Sequence, residues 1–182
     1  PAVSDNDVKL AMARKCSHGT MDTAFGSGGK TTSDFGYGDD RDLSKAVLDS
    51  GQLLVRRPPS NGSGFEFALA RYNADNAPYS TFGSGGKTTT DFEYGDDLLY
   101  SLAVLDSGKI LVSGSAFNGT DNDFALARYN SDGTLDTSFG TGVKTVTAFG
   151  TGDDGSYALT VLYTGKLLVG GYASYGTDND FA

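Results

Sequence analysis

Short apolar runs separated by glycine-rich polar turns mark this chain throughout. Leu102-Ala103-Val104-Leu105, Ile110-Leu111-Val112 and Phe124-Ala125-Leu126-Ala127 are apolar at consecutive positions. A strand with one wet face alternates apolar and polar side chains, so these runs predict strands covered on both faces. Asp106-Ser107-Gly108-Lys109 joins a strand over 99–105 to one over 110–115, a hairpin with glycine in its turn. The polar loop Asn118-Gly119-Thr120-Asp121-Asn122 leads to a third strand over 123–129. Ser131-Asp132-Gly133 opens a longer loop, and a fourth strand runs over 144–149. No segment carries sustained helical periodicity.

The pattern repeats every 57 residues without insertion or deletion. Arg14, Arg71 and Arg128 stand at one phase, residues 124–130 copy residues 67–73, and Phe181-Ala182 begins the segment again. A fixed period of this length means one supersecondary unit stacked on copies of itself. Four short strands per unit, covered on both faces, predict an all-β fold of β-propeller-type blades, each of four antiparallel strands. A β-solenoid fits less well, because its coils are shorter. The expected organisation is a single repeat domain over 1–182, with units at approximately 11–67, 68–124 and 125–181. Closed propellers need at least about four blades, and three alone would leave apolar faces bare. The expected partners are therefore the remaining repeats of a longer chain or further copies of this one. The two ends are in phase, so two chains head to tail would make a six-bladed ring.

Asp123-Phe124-Ala125-Leu126-Ala127-Arg128-Tyr129-Asn130, residues 131–140 and Leu105-Asp106-Ser107-Gly108-Lys109-Ile110-Leu111-Val112 together resemble the delta-60 repeat. The resemblance covers essentially the whole chain. It implies tandem, propeller-like blades of secreted and surface proteins, largely bacterial, and brings no common catalytic motif. The first copy departs from the pattern, with Arg56-Arg57-Pro58-Pro59 where later copies have Ser113-Gly114-Ser115-Ala116 and Gly170-Gly171-Tyr172-Ala173. Two prolines end that strand early or confine it to an edge. In the second copy Asn76-Ala77-Pro78-Tyr79 replaces Gly133-Thr134-Leu135-Asp136.

A net charge of −9 argues against nucleic acid, which needs a basic footprint. Cys16 is the single cysteine, so no intrachain disulfide forms. No apolar run approaches a membrane span. Pro1 in place of Met, with no signal-peptide pattern, is what a trimmed or partial chain shows.

Most candidate chemistry recurs once per repeat. Gly26-Ser27-Gly28-Gly29-Lys30-Thr31 has Ala24 where a phosphate-binding loop has glycine, and its third copy reads Gly142-Val143-Lys144, so it reads as a turn. The pairs Asp39-Asp40, Asp96-Asp97 and Asp153-Asp154 follow glycine in loops. They read as turn caps or as oxygen ligands for Ca²⁺, the one cofactor this pattern suggests. Arg14, Arg71 and Arg128 lie inside strands, unusual for charged side chains. They read as a structural ion pair or carbonyl clamp in each blade, against a rival anion-binding ring. His18 is the only histidine, which disfavours a Ser-His-Asp relay or a histidine metal site. Asn61-Gly62-Ser63 and Asn118-Gly119-Thr120 fit the glycosylation sequon.

The functional expectation is a non-catalytic binding or scaffold module, extracellular or on a cell surface. Its ligand would be a glycan or a protein, with Tyr37, Tyr94, Phe117 and Tyr175 as candidate sugar-stacking residues. Repeated weak sites gain avidity through multivalency. Two alternatives stay open: a propeller-fold hydrolase or lyase with its site in a channel, and a purely structural repeat of a larger surface protein. No residue is nominated as catalytic.

Overall fold

The computed structural model of the chain describes residues 10–33, 41–48, 51–57, 65–140, 143–175 and 178–182. The regular structure of these residues is entirely β. β1 (Leu10–Ala13) and β2 (Lys30–Ser33) form a pair. β3 (Arg41–Leu48), β4 (Gly51–Arg57), β5 (Phe67–Tyr72) and β6 (Lys87–Thr90) form a four-stranded sheet in chain order. β7 (Asp97–Val104), β8 (Ile110–Phe117), β9 (Asn122–Tyr129) and β10 (Lys144–Thr147) form a second. β11 (Asp154–Val161), β12 (Leu167–Tyr175) and β13 (Asp178–Phe181) form a three-stranded sheet. Each pairing is antiparallel between sequence neighbours. These meanders are propeller-type blades, and the row does not close into a barrel. Their first strands β3, β7 and β11 lie side by side.

Two of the three apolar runs, residues 110–112 and 124–127, are covered on both faces, while Leu102, Ala103, Val104 and Leu105 are half-buried. In β9, Phe124, Ala125, Leu126, Ala127 and Tyr129 are all buried. Phe67 and Leu69 of β5, and Phe82 of the turn between β5 and β6, cluster with Leu99, Ile110 and Val112 from the second sheet. Fully burying one such side chain stabilises by about 1.5–3 kcal/mol. Polar bonds lock the junctions. The Tyr129 hydroxyl donates to Thr90 Oγ1 at 2.7 Å, and burial pushes that hydroxyl above its usual pKa. Ser156 Oγ donates to the Gly114 carbonyl at 3.1 Å.

Two backbone positions explain departures between copies. Gly19, Asn76 and Gly133 share a phase, and all have positive φ (89°, 73° and 85°). Asparagine tolerates this region better than most residues, and the Asn76 amide also donates to Thr31 Oγ1. The second position is Gly114, where a Cβ would stand 1.8 Å from the Leu98 carbonyl oxygen. At Gly171, the same phase, a Cβ would stand 1.9 Å from the Gly155 oxygen. The first copy has Arg57 there and cannot reproduce that approach. β4 accordingly pairs one residue out of step: Leu53 faces Arg71, whereas Leu111 faces Arg128. β4 is an interior strand of its sheet rather than an edge; Pro58 and Pro59, expected to end it early, lie outside the described residues.

Candidate functional site

Each first strand carries a one-residue bulge at the same phase. The registers jump between Asp42 and Ser44, Leu99 and Ser101, and Ser156 and Ala158. The extra residues are Leu43, Tyr100 and Tyr157. A bulge lifts one residue out of the ladder and re-aims its side chain. Because β7 and β11 are neighbours, the two bulge tyrosines meet edge to face, with centroids 4.9 Å apart at 73°. Tyr172 extends the group, 5.6 Å from Tyr157, with its ring over Gly155, where a Cβ would lie 2.6 Å from it. Tyr157 is 55% exposed despite these contacts. Burial pushes the Tyr172 hydroxyl up, and Tyr157, Asp153, Tyr100 and Asp154 add to the shift, so the rings lie within electrostatic reach of those carboxylates.

The acidic pairs line the same end of the blades, and their two members differ. The first aspartate is exposed and accepts from the backbone that opens the preceding sheet's third strand. Phe65 N donates to Asp96 Oδ1 at 3.0 Å, and Asn122 N to Asp153 Oδ1 at 2.9 Å. The second is fully buried and accepts from a backbone N–H five residues earlier. Phe92 N donates to Asp97 Oδ2 at 2.6 Å, and Phe149 N to Asp154 Oδ2 at 2.7 Å. Asp154 Oδ1 also accepts from Ser174 N. Asp97 Oδ1 is buried without a hydrogen-bond partner. Burial pushes the Asp97 carboxyl up to about 7 against the opposing Phe92 bond. Asp123, buried beside them, is also raised by burial, against a bond from Asn118. Among the described residues no three or more His, Cys, Asp or Glu side chains group to hold a metal. Asp39 and Asp40 lie outside the described residues.

The stacking candidates scatter around this rim. Tyr94 is 55% exposed in the loop before β7. Phe117 ends β8 and packs against Gly95, where a Cβ would be 3.1 Å from its ring. Tyr175 ends β12 and is exposed. Tyr37 lies outside the described residues. Among the described residues these three candidates do not come together as a group, whereas Tyr100, Tyr157 and Tyr172 do. Reading the sequence missed that group, because a bulge has no compositional mark. The recurrence of Tyr100 at Tyr157, 57 residues on, was the available signal.

The arginines gather at the other end of the blades. Arg14 Nε donates to Asp22 at 2.8 Å and Arg128 Nε to Asp136 at 2.6 Å. Lys109 Nζ shares Asp136 at 2.6 Å, and Ser138 donates to it through N and Oγ. These donors, Lys109 foremost, hold the Asp136 carboxyl well below the usual carboxylate range. Tyr79 stands at that phase in the second copy, and the Arg71 guanidinium lies 4.4 Å over its ring. Arg14 and Arg71 each also reach a carbonyl in the following blade, Ala74 at 2.7 Å and Ser131 at 2.9 Å. The fork is occupied by protein carboxylate, ring and carbonyl.

A family model described as a domain of unknown function (DUF5122) beta-propeller matches residues 106–139. That segment runs from the β7–β8 turn through β9 to the Arg128–Asp136 turn, the interior of the second four-stranded sheet. It supports a propeller-type repeat family. No curated protein and no solved structure matches the chain. Among the described residues no helix is long and apolar enough to cross a membrane.

Proposed function

We propose that this chain is a non-catalytic binding module of an extracellular or cell-surface protein, and that its ligand is a glycan held at Tyr100, Tyr157 and Tyr172. The observation that carries this reading is the edge-to-face pair of bulge tyrosines, with Tyr157 half exposed. An aromatic face covers the apolar face of a sugar ring while its hydroxyl stays available for hydrogen bonds. Asp153, exposed at the adjoining rim, is an acceptor for sugar hydroxyls. Surface placement rests on the resemblance to the delta-60 repeat, as does tandem repetition in a larger protein.

The test is binding of the chain to an array of polysaccharides and oligosaccharides, followed by titration of the best binder. Tyr157→Ala should weaken binding at least about tenfold and leave the thermal transition within a few degrees of the parent. Unchanged affinity in Tyr157→Ala, or an array with no binder, would overturn the glycan reading.

A further inference from the structure

Resting on the glycan reading above, we infer that the sugar held at Tyr100, Tyr157 and Tyr172 carries primary amines, and that Asp153 reads their charge. The basis is a corner between the second four-stranded sheet and β11, where carboxylates gather without a cation beside an aromatic group.

Asp121 and Asp123 come from the loop before β9 and from β9 itself, Asp153 and Asp154 from the approach to β11 and its first residue. Asn122 ties the two groups together. It donates to Asp153 Oδ1 through its backbone N–H at 2.9 Å and its side-chain amide at 3.0 Å. Asp153 is thus fixed through one oxygen, and among the described residues no donor reaches Oδ2. Asp123 is 4% exposed, and its Oδ1 is buried without a hydrogen-bond partner. Asn118 fills only its other oxygen, at 2.8 Å, and Asp121 and Asp154 lie within electrostatic reach. Among the described residues no lysine or arginine pairs with any of these four aspartates. The other end of the blades differs: Asp22 pairs with Arg14, and Asp136 with Arg128 and Lys109. A carboxylate held in place without a protein cation favours one from outside.

The aromatic side of the corner is particular to this sheet. Gly155 and Tyr172 stand where the second sheet has Leu98 and Ser115. A Cβ at position 155 would lie 2.6 Å from the Tyr172 ring and 3.3 Å from its hydroxyl oxygen. The two exchanges are therefore coupled: glycine at 155 is what lets the Tyr172 ring lie across β11, two residues from Asp153. Asp153 and Asp154 both act on that hydroxyl. A tyrosine face attracts an ammonium group, and a neighbouring carboxylate adds to the attraction. A neutral sugar hydroxyl gains neither. An acidic glycan would meet four carboxylates on a chain of net charge −9. The expected order of preference is amine-bearing, then neutral, then acidic.

Titration calorimetry of the 182-residue chain tests this, with glucosamine oligomers and N-acetylated oligomers of the same length and linkage. At pH about 6 an aspartate is ionised and the sugar amine protonated. The amine form should bind at least about threefold tighter, and the ratio should fall towards one as salt rises to about 1 M. Asp153→Asn keeps an acceptor for Asn122 and removes the charge. It should bring the ratio close to one at low salt, with its thermal transition within a few degrees of the parent. The salt series uses the parent alone, so it does not depend on how the variant folds. Equal affinities for the two oligomers in the parent, or an unchanged ratio in folded Asp153→Asn, overturn the charge reading and leave the glycan reading standing. So does an array on which neutral or acidic glycans bind and the amine form does not. Oligolysine that binds tighter than the glucosamine oligomers and is indifferent to Tyr157→Ala would show that the carboxylates act without the rings, which also overturns it. An array with no binder removes the glycan reading and this inference together.

Discussion

Arg71 in β5 donates through Nη1 to the backbone carbonyl of Ser131, 2.9 Å away in the turn after β9 of the next sheet. Arg14 makes the same reach to Ala74. The arginine phase therefore joins neighbouring blades as well as bracing its own. Arg71 is only 9% exposed and its guanidinium stacks on Tyr79. Arg71→Met keeps the stem and removes the fork, leaving the Ser131 carbonyl without this donor. The expected loss is about 1.5–3 kcal/mol, read by urea denaturation. A loss below the error of the measurement would show that the reach contributes nothing.

Asp97 should make the protein less stable as pH rises. Its usual carboxyl value is 3.8, and burial raises it to about 7. Between these values the folded chain binds more protons than the unfolded chain, so stability falls with rising pH and levels off above about 7. The nearby charges, Asp91, Glu66 and Lys144, are too divided in sign to remove the effect. Asp97→Asn keeps an acceptor for Phe92 N–H and carries no charge. It should flatten this part of the pH–stability curve and be at least as stable as the parent at pH about 8. A parent curve that rises between pH about 4 and 7 would contradict the assignment.

Asp136 should act in the opposite sense. Lys109, Ser138 and Arg128 hold its carboxyl below the usual range, so its contribution is present above pH about 4 and is lost on acidification. Asp136→Asn should lower the melting temperature at neutral pH. It should also shrink the further fall seen between pH about 5 and 2. Parallel parent and variant profiles across that range would show that the cluster does not couple to folding.

Gly114→Ala should be strongly destabilising, by more than about 2 kcal/mol, since its Cβ would meet the Leu98 carbonyl at 1.8 Å. Gly170→Ala is the control. Its Cβ meets nothing nearer than 3.7 Å, and it should stay within about 0.5 kcal/mol of the parent. Thermal melts of the two variants give the contrast.

The second four-stranded sheet was the part most readable in the sequence. Its two-sided apolar runs and glycine turns are local signals, and β7 to β10 fall where those signals stand. Other features depend on contacts far along the chain. The Ser131 carbonyl lies 60 residues from Arg71. Asp96 and Asp97 look alike in a glycine loop, yet one is exposed and the other buried, because adjacent positions at a strand start point to opposite sides. Aromatics in loops stand out as stacking candidates, whereas the tyrosines that meet lie on strands, where Tyr100 and Tyr157 read as ordinary strand residues. Arg57 was visible as a departure, but its effect, a one-residue slip of β4, required the close approach at Gly114 to be known.

The bulge shared by β3, β7 and β11 gives every repeat one position released from the pairing ladder. Leu43, Tyr100 and Tyr157 already show that this position accepts unlike side chains. Exchange there leaves the strand pairs on either side intact. Duplication of the unit therefore hands each new copy an independently tunable site, and recognition can diversify blade by blade while the framework is inherited whole.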